Sequence, residues 1–418
     1  MNDIKSPSMP APPRFELAQT NVTRPEFIAM LAMLMALNAL AIDIMLPAFP
    51  NILASYPETP DNRVQLVLTA YLLGFGFSQL VFGPISDRFG RRVPLFVGMG
   101  IYMTFALVGA FAPSLEWLLA ARFVQGVGAA GTRTIALAIV RDTHSGRAMA
   151  STMSLVLMVF MIVPVLAPAI GQVIILGREW QWIFIFMATC CAIVLVWTAA
   201  RLPETLGTEH RRALTFSSVR EAFKIIFSNR QSLFYGLGTA FFFGSLFSFL
   251  NLAQPVFGET YELGVLFPAA FASLAILMAI SSFANSRLVL RLGQRRLAHS
   301  GLLGFATLSG LHAFIAAFGN PPLWLFMILI AITMPLFGLI GANLNSLAME
   351  PMGKIAGTAS SVFGFGQTVI GSLLGAIVGQ AFGGQILTLV LGFALVSSAA
   401  LTCVLIAEGG KLFGSVEG

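Results

Sequence analysis

The chain has 418 residues, of which 57% are hydrophobic and 10% charged, and a formal net charge of +6. Soluble globular domains carry about 25% charged residues, so this chain lacks the polar surface needed to coat a water-soluble particle. Its basic residues lie in short segments between apolar runs and form no patch interleaved with aromatics, which excludes nucleic acid as a partner.

Residues 1–26 are polar, with Pro10, Pro12 and Pro13, and lack the apolar core and cleavage site of a signal peptide. They are expected to be a cytoplasmic tail. Apolar stretches follow at 27–50, 64–85, 94–112, 117–140, 148–176 and 182–202. After a polar segment at 203–230 come 231–256, 264–286, 299–318, 322–347, 355–381 and 385–407. Each is long enough to cross a ~30 Å hydrocarbon core as a helix. The expected fold is an all-α membrane protein with twelve transmembrane helices. Residues 27–202 form an N-terminal six-helix half, 203–230 a cytoplasmic central loop, 231–407 a C-terminal six-helix half, and 408–418 a cytoplasmic tail. Cys190, Cys191 and Cys403 all fall inside apolar runs, giving neither a disulfide framework nor a CxxC metal spacing.

Orientation follows from the basic residues, which concentrate on the cytoplasmic side of bacterial inner-membrane proteins. With the N-terminus inside, 20 of the 24 Lys and Arg residues fall on that side. Arg63 and Arg178 fall outside, and Arg122 and Arg133 lie within the fourth span. Omitting one span would misplace the later clusters, so the count of twelve has support beyond hydropathy, and both termini are expected in the cytoplasm. The loop after the second span, Asp87-Arg-Phe-Gly-Arg-Arg92, is echoed after the eighth by Leu290-Arg-Leu-Gly-Gln-Arg-Arg296. Two copies in one membrane orientation imply a parallel repeat.

Gly83-Pro-Ile-Ser-Asp-Arg-Phe-Gly-Arg-Arg92 resembles the loop signature of the major facilitator superfamily. Arg122-Phe-Val-Gln-Gly-Val-Gly-Ala-Ala130, running on to Arg141-Asp142, resembles the fourth-span signature of its drug:proton antiporters. Ala41-Ile-Asp-Ile-Met-Leu-Pro-Ala-Phe-Pro50 is similar to the end of the first span in the bicyclomycin/chloramphenicol-resistance branch, and Leu202-Pro-Glu-Thr-Leu206 closes the sixth span as in many members. In the fifth span, Pro164 and Ala167 stand where antiporters commonly carry glycine. The resemblance implies that Arg122 takes part in proton coupling. It also implies that Gly83, Asp87, Arg88, Gly90, Arg91, Arg92, Arg141 and Asp142 form a conformational switch, with Asp87 latching the two halves in the outward-facing state.

Asp43 is the one acidic residue embedded in any predicted span, and such a carboxylate is a functional candidate by default. Burial favours its neutral form and a nearby cation its charged form, opposing effects that suit a proton switch. Counting 1.5 Å per residue places Asp43 roughly 7 Å and Arg122 roughly 10 Å outside the midplane, so Arg122 is the expected partner. Arg133 lies 11 residues further on, three turns plus about 20°, and therefore on the same helix face as Arg122. Gly126, Gly128 and Gly131 between them admit a close neighbouring helix. Pro164 and Pro168, one turn apart and followed by Gly171, are expected to act as a hinge. Asn38, Asp43, Tyr71, Gln125, Arg133, Asn251, Gln254, Asn343 and Gln367 are the candidate cavity residues.

No HExxH, P-loop or embedded carboxylate pair is present in the sequence, which argues against an enzyme or an ATP-driven pump. The expected function is proton-coupled antiport, exporting small amphiphilic compounds that are neutral or anionic, since two arginines outweigh one aspartate. The alternative is proton-coupled uptake of a small metabolite. Protons, a small-molecule cargo and membrane lipids are the expected partners. The protein is expected to be a monomer that uses no cofactor beyond the proton gradient.

Overall fold

A computed structural model describes residues 22–144, 146–207, 211 and 216–413. Most of the expected tails and part of the central loop therefore lie outside the described residues. The N-terminal helices are α1 (Arg24–Asp43), α2 (Phe49–Ser55), α3 (Leu66–Phe89), α4 (Arg92–Ala110), α5 (Leu115–Thr143), α6 (Gly146–Gly177) and α7 (Gln181–Arg201). After the short α8 (Phe216–Ser228) come α9 (Arg230–Gln254), α10 (Phe267–Leu292), α11 (Gln294–Ala316), α12 (Leu323–Thr333), α13 (Leu336–Met349), α14 (Ala356–Gln380) and α15 (Ile386–Ala407). Ten helical segments among the described residues are long and apolar enough to cross a membrane. The long helices α6 and α11 stand at the fifth and ninth expected positions.

Local chemistry sets the helix ends. Side chains of Thr23, Ser114 and Asn229 accept hydrogen bonds from the first turns of α1, α5 and α9, supplying partners for backbone N–H groups that no helical carbonyl reaches. Pro47 ends α1 at Asp43, because it cannot donate to the carbonyl four residues back and its ring crowds that carbonyl. The chain continues through a 3-10 turn at Leu46–Ala48 into α2, so the first span is longer than expected and broken. Pro335 divides the tenth span into α12 and α13 in the same way. By contrast α6 runs unbroken past Pro164 and Pro168; its small Gly171 packs directly on Ile44 O and Pro47 at the broken end of α1. The segment expected as a loop contains α8, too short and too charged, with Arg220, Glu221 and Lys224, to register as a span.

The packing of the two groups of helices repeats. In the N-terminal group α1 packs on α6, α3 on α5 and α4 on α7; in the C-terminal group α9 packs on α14, α10 on α13 and α11 on α15. The turns at Gly90 (φ +90°) and Gly293 (φ +80°) share one left-handed conformation, which favours glycine. Between the groups, α3 and α14 run antiparallel side by side. Asn62 Nδ2 donates to Gln380 O (2.8 Å) and Gln380 Nε2 to Asn62 O (2.6 Å) at one end. Gln79 Nε2 donates to Thr368 Oγ1 (3.1 Å) further along, and Gly83 faces Ser361 near the other end.

Glycine permits the closest approaches, as expected for α5. A methyl on Gly126 would strike Tyr71 O of α3, one on Gly128 the backbone of α4, and one on Gly131 the Phe82 ring. Gly371 and Gly375 of α14 are likewise pressed against α9 at Phe247 and Ser248. Gly74→Ala is expected to lose roughly 1–3 kcal/mol through overpacking against Phe123 O. Gly310→Ala, with no neighbour within 4 Å, should leave stability unchanged or raise it. Thermal unfolding of the two purified variants in detergent checks the contrast.

Candidate functional site

Arg122 is wholly buried and sits where α1, α3 and α5 meet. Its Nη2 donates to Ala41 O (2.8 Å), its Nε to Val67 O (3.3 Å) and its Nη1 to Gln125 Oε1 (2.8 Å). The guanidinium also lies 4.4 Å from the Tyr71 ring centroid and 5.8 Å from that of Phe184. Tyr71 in turn donates to Asn38 Oδ1 at 2.9 Å. The break at Pro47 explains the first bond, since carbonyls at the end of α1 have lost their helical donors. A cation is also favoured beside a helix C-terminus.

This arrangement corrects the expected Asp43–Arg122 ion pair. The depths agree, as the contact with Ala41 two residues away shows, but two residues on a helix differ by about 200° in direction. Asp43 is buried and makes no hydrogen bond or ion pair among the described residues. Arg133 does share a face with Arg122: the two guanidiniums lie over Tyr71 and Phe75, successive stacked rings of α3, Arg133 at 5.8 Å. Arg133 makes no hydrogen bond among the described residues. Of the other candidate cavity residues, Asn343 is taken up by Asn285 Oδ1 (2.8 Å), whereas Gln254 and Gln367 make no side-chain hydrogen bond among the described residues. Asn251 is buried with neither amide atom partnered.

The expected switch residues gather at the basic end of the bundle. Arg91 Nε donates to Asp142 Oδ2 (2.7 Å), and Nη1 donates to Asp87 Oδ1 (2.6 Å) and Ser86 Oγ (2.8 Å). Burial pushes the Arg91 pKa down, but its bonds and charge pairing with Asp142 and Asp87 outweigh that and raise it. Asp87 therefore bonds within its own helix group here, not across to the other as the resemblance implied. Arg88 lies over the adjacent Phe89 ring, Arg141 is exposed, and Arg92 Nη2 donates to Ala199 O. Sequence reasoning passes over Glu204, although it stands in the Leu202–Leu206 motif. Its carboxylate accepts from the backbone N–H of Arg91 (2.8 Å), Arg92 (3.1 Å) and Leu206 (3.1 Å). A side chain on Gly90 would collide with it.

The C-terminal group carries a matching network despite Leu290 standing in place of Asp87. Arg295 Nε donates to Glu408 Oε1 (2.9 Å) and Nη2 reaches Glu350 Oε2 (3.4 Å), while Tyr235 OH donates to Glu408 at 2.6 Å. Burial pushes the Glu408 carboxyl up, but the Tyr235 and Arg295 hydrogen bonds and the Arg295 charge prevail, holding it below its ordinary 4.5. A depressed carboxyl contributes stability that is present above the unfolded value and lost as pH falls through the folded one. The thermal midpoint should therefore fall faster below about pH 4.5 in the wild type than in Glu408→Gln, as measured by melting curves from pH 7 to 3.

Comparison with known proteins fits this geometry. The sequence profile of the Major Facilitator Superfamily matches residues 31–376. The chain is 30% identical over 353 residues to a bicyclomycin resistance protein homolog of Haemophilus influenzae, covering 84% of this chain and 88% of that one. It is 30% identical over 373 residues to multidrug resistance protein D of Escherichia coli, covering 87% and 92%. It is 27% identical over 353 residues to a chloramphenicol resistance protein of Pseudomonas aeruginosa, covering 81% and 80%. Among solved structures, the Escherichia coli xylose transporter superposes with a TM-score of 0.71 at 10% identity, covering 93% of this chain and 99% of that one. The human organic anion transporter gives 0.67 at 18%, covering 91% and 98%; at such identities the likeness concerns fold alone. The chain is a multi-pass membrane transporter, not an enzyme, and belongs to the Major Facilitator Superfamily alongside the bicyclomycin- and chloramphenicol-resistance proteins.

Proposed function

We propose that this transporter is a proton-coupled antiporter that exports small amphiphilic compounds, neutral or anionic, across the bacterial inner membrane by alternating access. In this reading α6 and α11 also span the bilayer, giving twelve spans in two parallel six-helix halves with both termini in the cytoplasm. The repeated packing of the two helix groups and the matching Gly90 and Gly293 turns support it. So do the basic residues gathered at the Gly90 and Gly293 end.

The observation that carries the reading is Asp43, a carboxylate buried within the first span without a partner among the described residues. A charged carboxylate in that setting is costly, and a bound proton removes the cost. Arg122 does not neutralise it, because its donors are directed to Ala41, Val67 and Gln125. Loading and release of the proton then change the balance between the two orientations of the cavity. Arg133, with donors unclaimed among the described residues, suits an electron-rich or anionic group on the cargo. The resistance proteins named among the relatives support a drug-like cargo.

Asp43→Asn should abolish proton-gradient-driven transport in proteoliposomes while leaving the protein folded. Undiminished coupling in that variant would remove Asp43 from the mechanism. The sign of the proton movement tests direction: cargo added outside acid-loaded vesicles should dissipate the gradient by antiport. Acidification of a neutral lumen on adding a metabolite would instead establish uptake by symport.

A further inference from the structure

Directly beneath the reciprocal Asn62–Gln380 pair lies a group of buried polar atoms that nothing in the coupling scheme uses. Gln65 is 3% exposed, Thr69 4% and Asn251 fully buried. Gln65 Oε1, Thr69 Oγ1 and both amide atoms of Asn251 have no hydrogen-bond partner among the described residues. They converge on one place. A methyl built on Gly379 of α14 would strike Gln65 Oε1 and come 3.5 Å from Asn251 Cβ. Thr69 follows Gln65 by four residues and so lies on the same side of α3, one turn further in. Segments from both helix groups thus contribute, and only a glycine at 379 lets Gln65 approach α14 so closely.

A buried donor or acceptor left unpaired is costly, so native structures seldom keep several together without a purpose. The atoms here offer acceptors on Gln65 and Asn251, donors on the Asn251 amide, and a hydroxyl on Thr69 able to do either. All are uncharged. The complement is a neutral group that both donates and accepts, an amide or a hydroxyl; a charged group would find no counter-ion among these three side chains. A site of this kind rejects an analogue lacking the donor far better than an apolar pocket rejects a missing methylene.

We propose that Gln65, Thr69 and Asn251, over Gly379, form a binding subsite for the amide or hydroxyl group of the transported compound, at the junction of the two helix groups. The proposal rests on the export reading. The site is sealed where α3 and α14 meet beneath the Asn62–Gln380 pair, so a cargo group held there is shielded from water until those helices part.

The test uses full-length protein in proteoliposomes and two probes: chloramphenicol, which has an amide N–H and hydroxyls, and its N-methyl, di-O-methyl analogue, which cannot donate. Wild type should prefer chloramphenicol. Asn251→Leu and Gln65→Met, close in shape but apolar, should each reduce the ratio of kcat/KM for the two probes by about tenfold, as expected for one lost hydrogen bond. The thermal midpoint of the cargo-free variants should stay the same or rise. A wild type that moves both probes, with a ratio unchanged in the variants, overturns the subsite alone. So does a cargo-free midpoint that falls by several degrees, since the groups then hold structural water. A wild type that moves neither probe overturns the export reading, and the subsite with it.

Discussion

Inside a bilayer, backbone carbonyls at a helix end cannot turn to water, and the site around Arg122 follows from that shortage. Pro47 stops α1 within the membrane-spanning segment and leaves its last carbonyls short of donors. The guanidinium of Arg122 reaches across from α5 to Ala41 O and also holds Val67 O at the start of α3. One side chain thereby fixes three helices, while the Tyr71 face and Gln125 complete its surroundings. Asp43, the last residue of α1, is buried beside the break and makes no hydrogen bond or ion pair among the described residues.

That division of labour shows what the sequence could and could not reveal. Ten of the expected spans were legible because hydrocarbon demands long apolar helices, and the shared face of Arg122 and Arg133 because helical periodicity carries direction along one helix. The partner of Arg122 was not. Depth arithmetic gives height but not bearing, and a carbonyl acceptor leaves no mark in a residue pattern. Glu204 escaped for a related reason: its partners are backbone N–H groups of Arg91, Arg92 and Leu206, assembled by a turn and not by any spacing of side chains. The hinge expected of Pro164 and Pro168 rested on residue type alone, and both lie inside the continuous helix α6.

The junction of Gln65, Thr69 and Asn251 illustrates the same limit from the other side. Asn251 was a cavity candidate because polar residues in a span are few, yet Gln65 and Thr69, near the start of their span, stood out in no pattern. Only the meeting of α3, α9 and α14 over Gly379 brings them together. The repeated ionic clusters were half visible: the Gly90 and Gly293 loops could be aligned, while Glu350 and Glu408 were found only once helices distant in sequence were seen to converge on Arg295.

The helix groups are tied internally at the basic end and joined to each other at the far end by different kinds of force. At the basic end, Arg91 and Arg295 bind carboxylates, and dissolved ions weaken such pairs where water reaches them. At the opposite end the reciprocal bond between Asn62 and Gln380 joins two amides without formal charge. Parting and rejoining that pair moves no charge of its own through the transmembrane field, and ionic strength barely changes its strength. The link between the two helix groups at that end is thus indifferent to dissolved salt and to voltage, whereas the Arg91 and Arg295 pairs, each within its own group, respond to ionic strength.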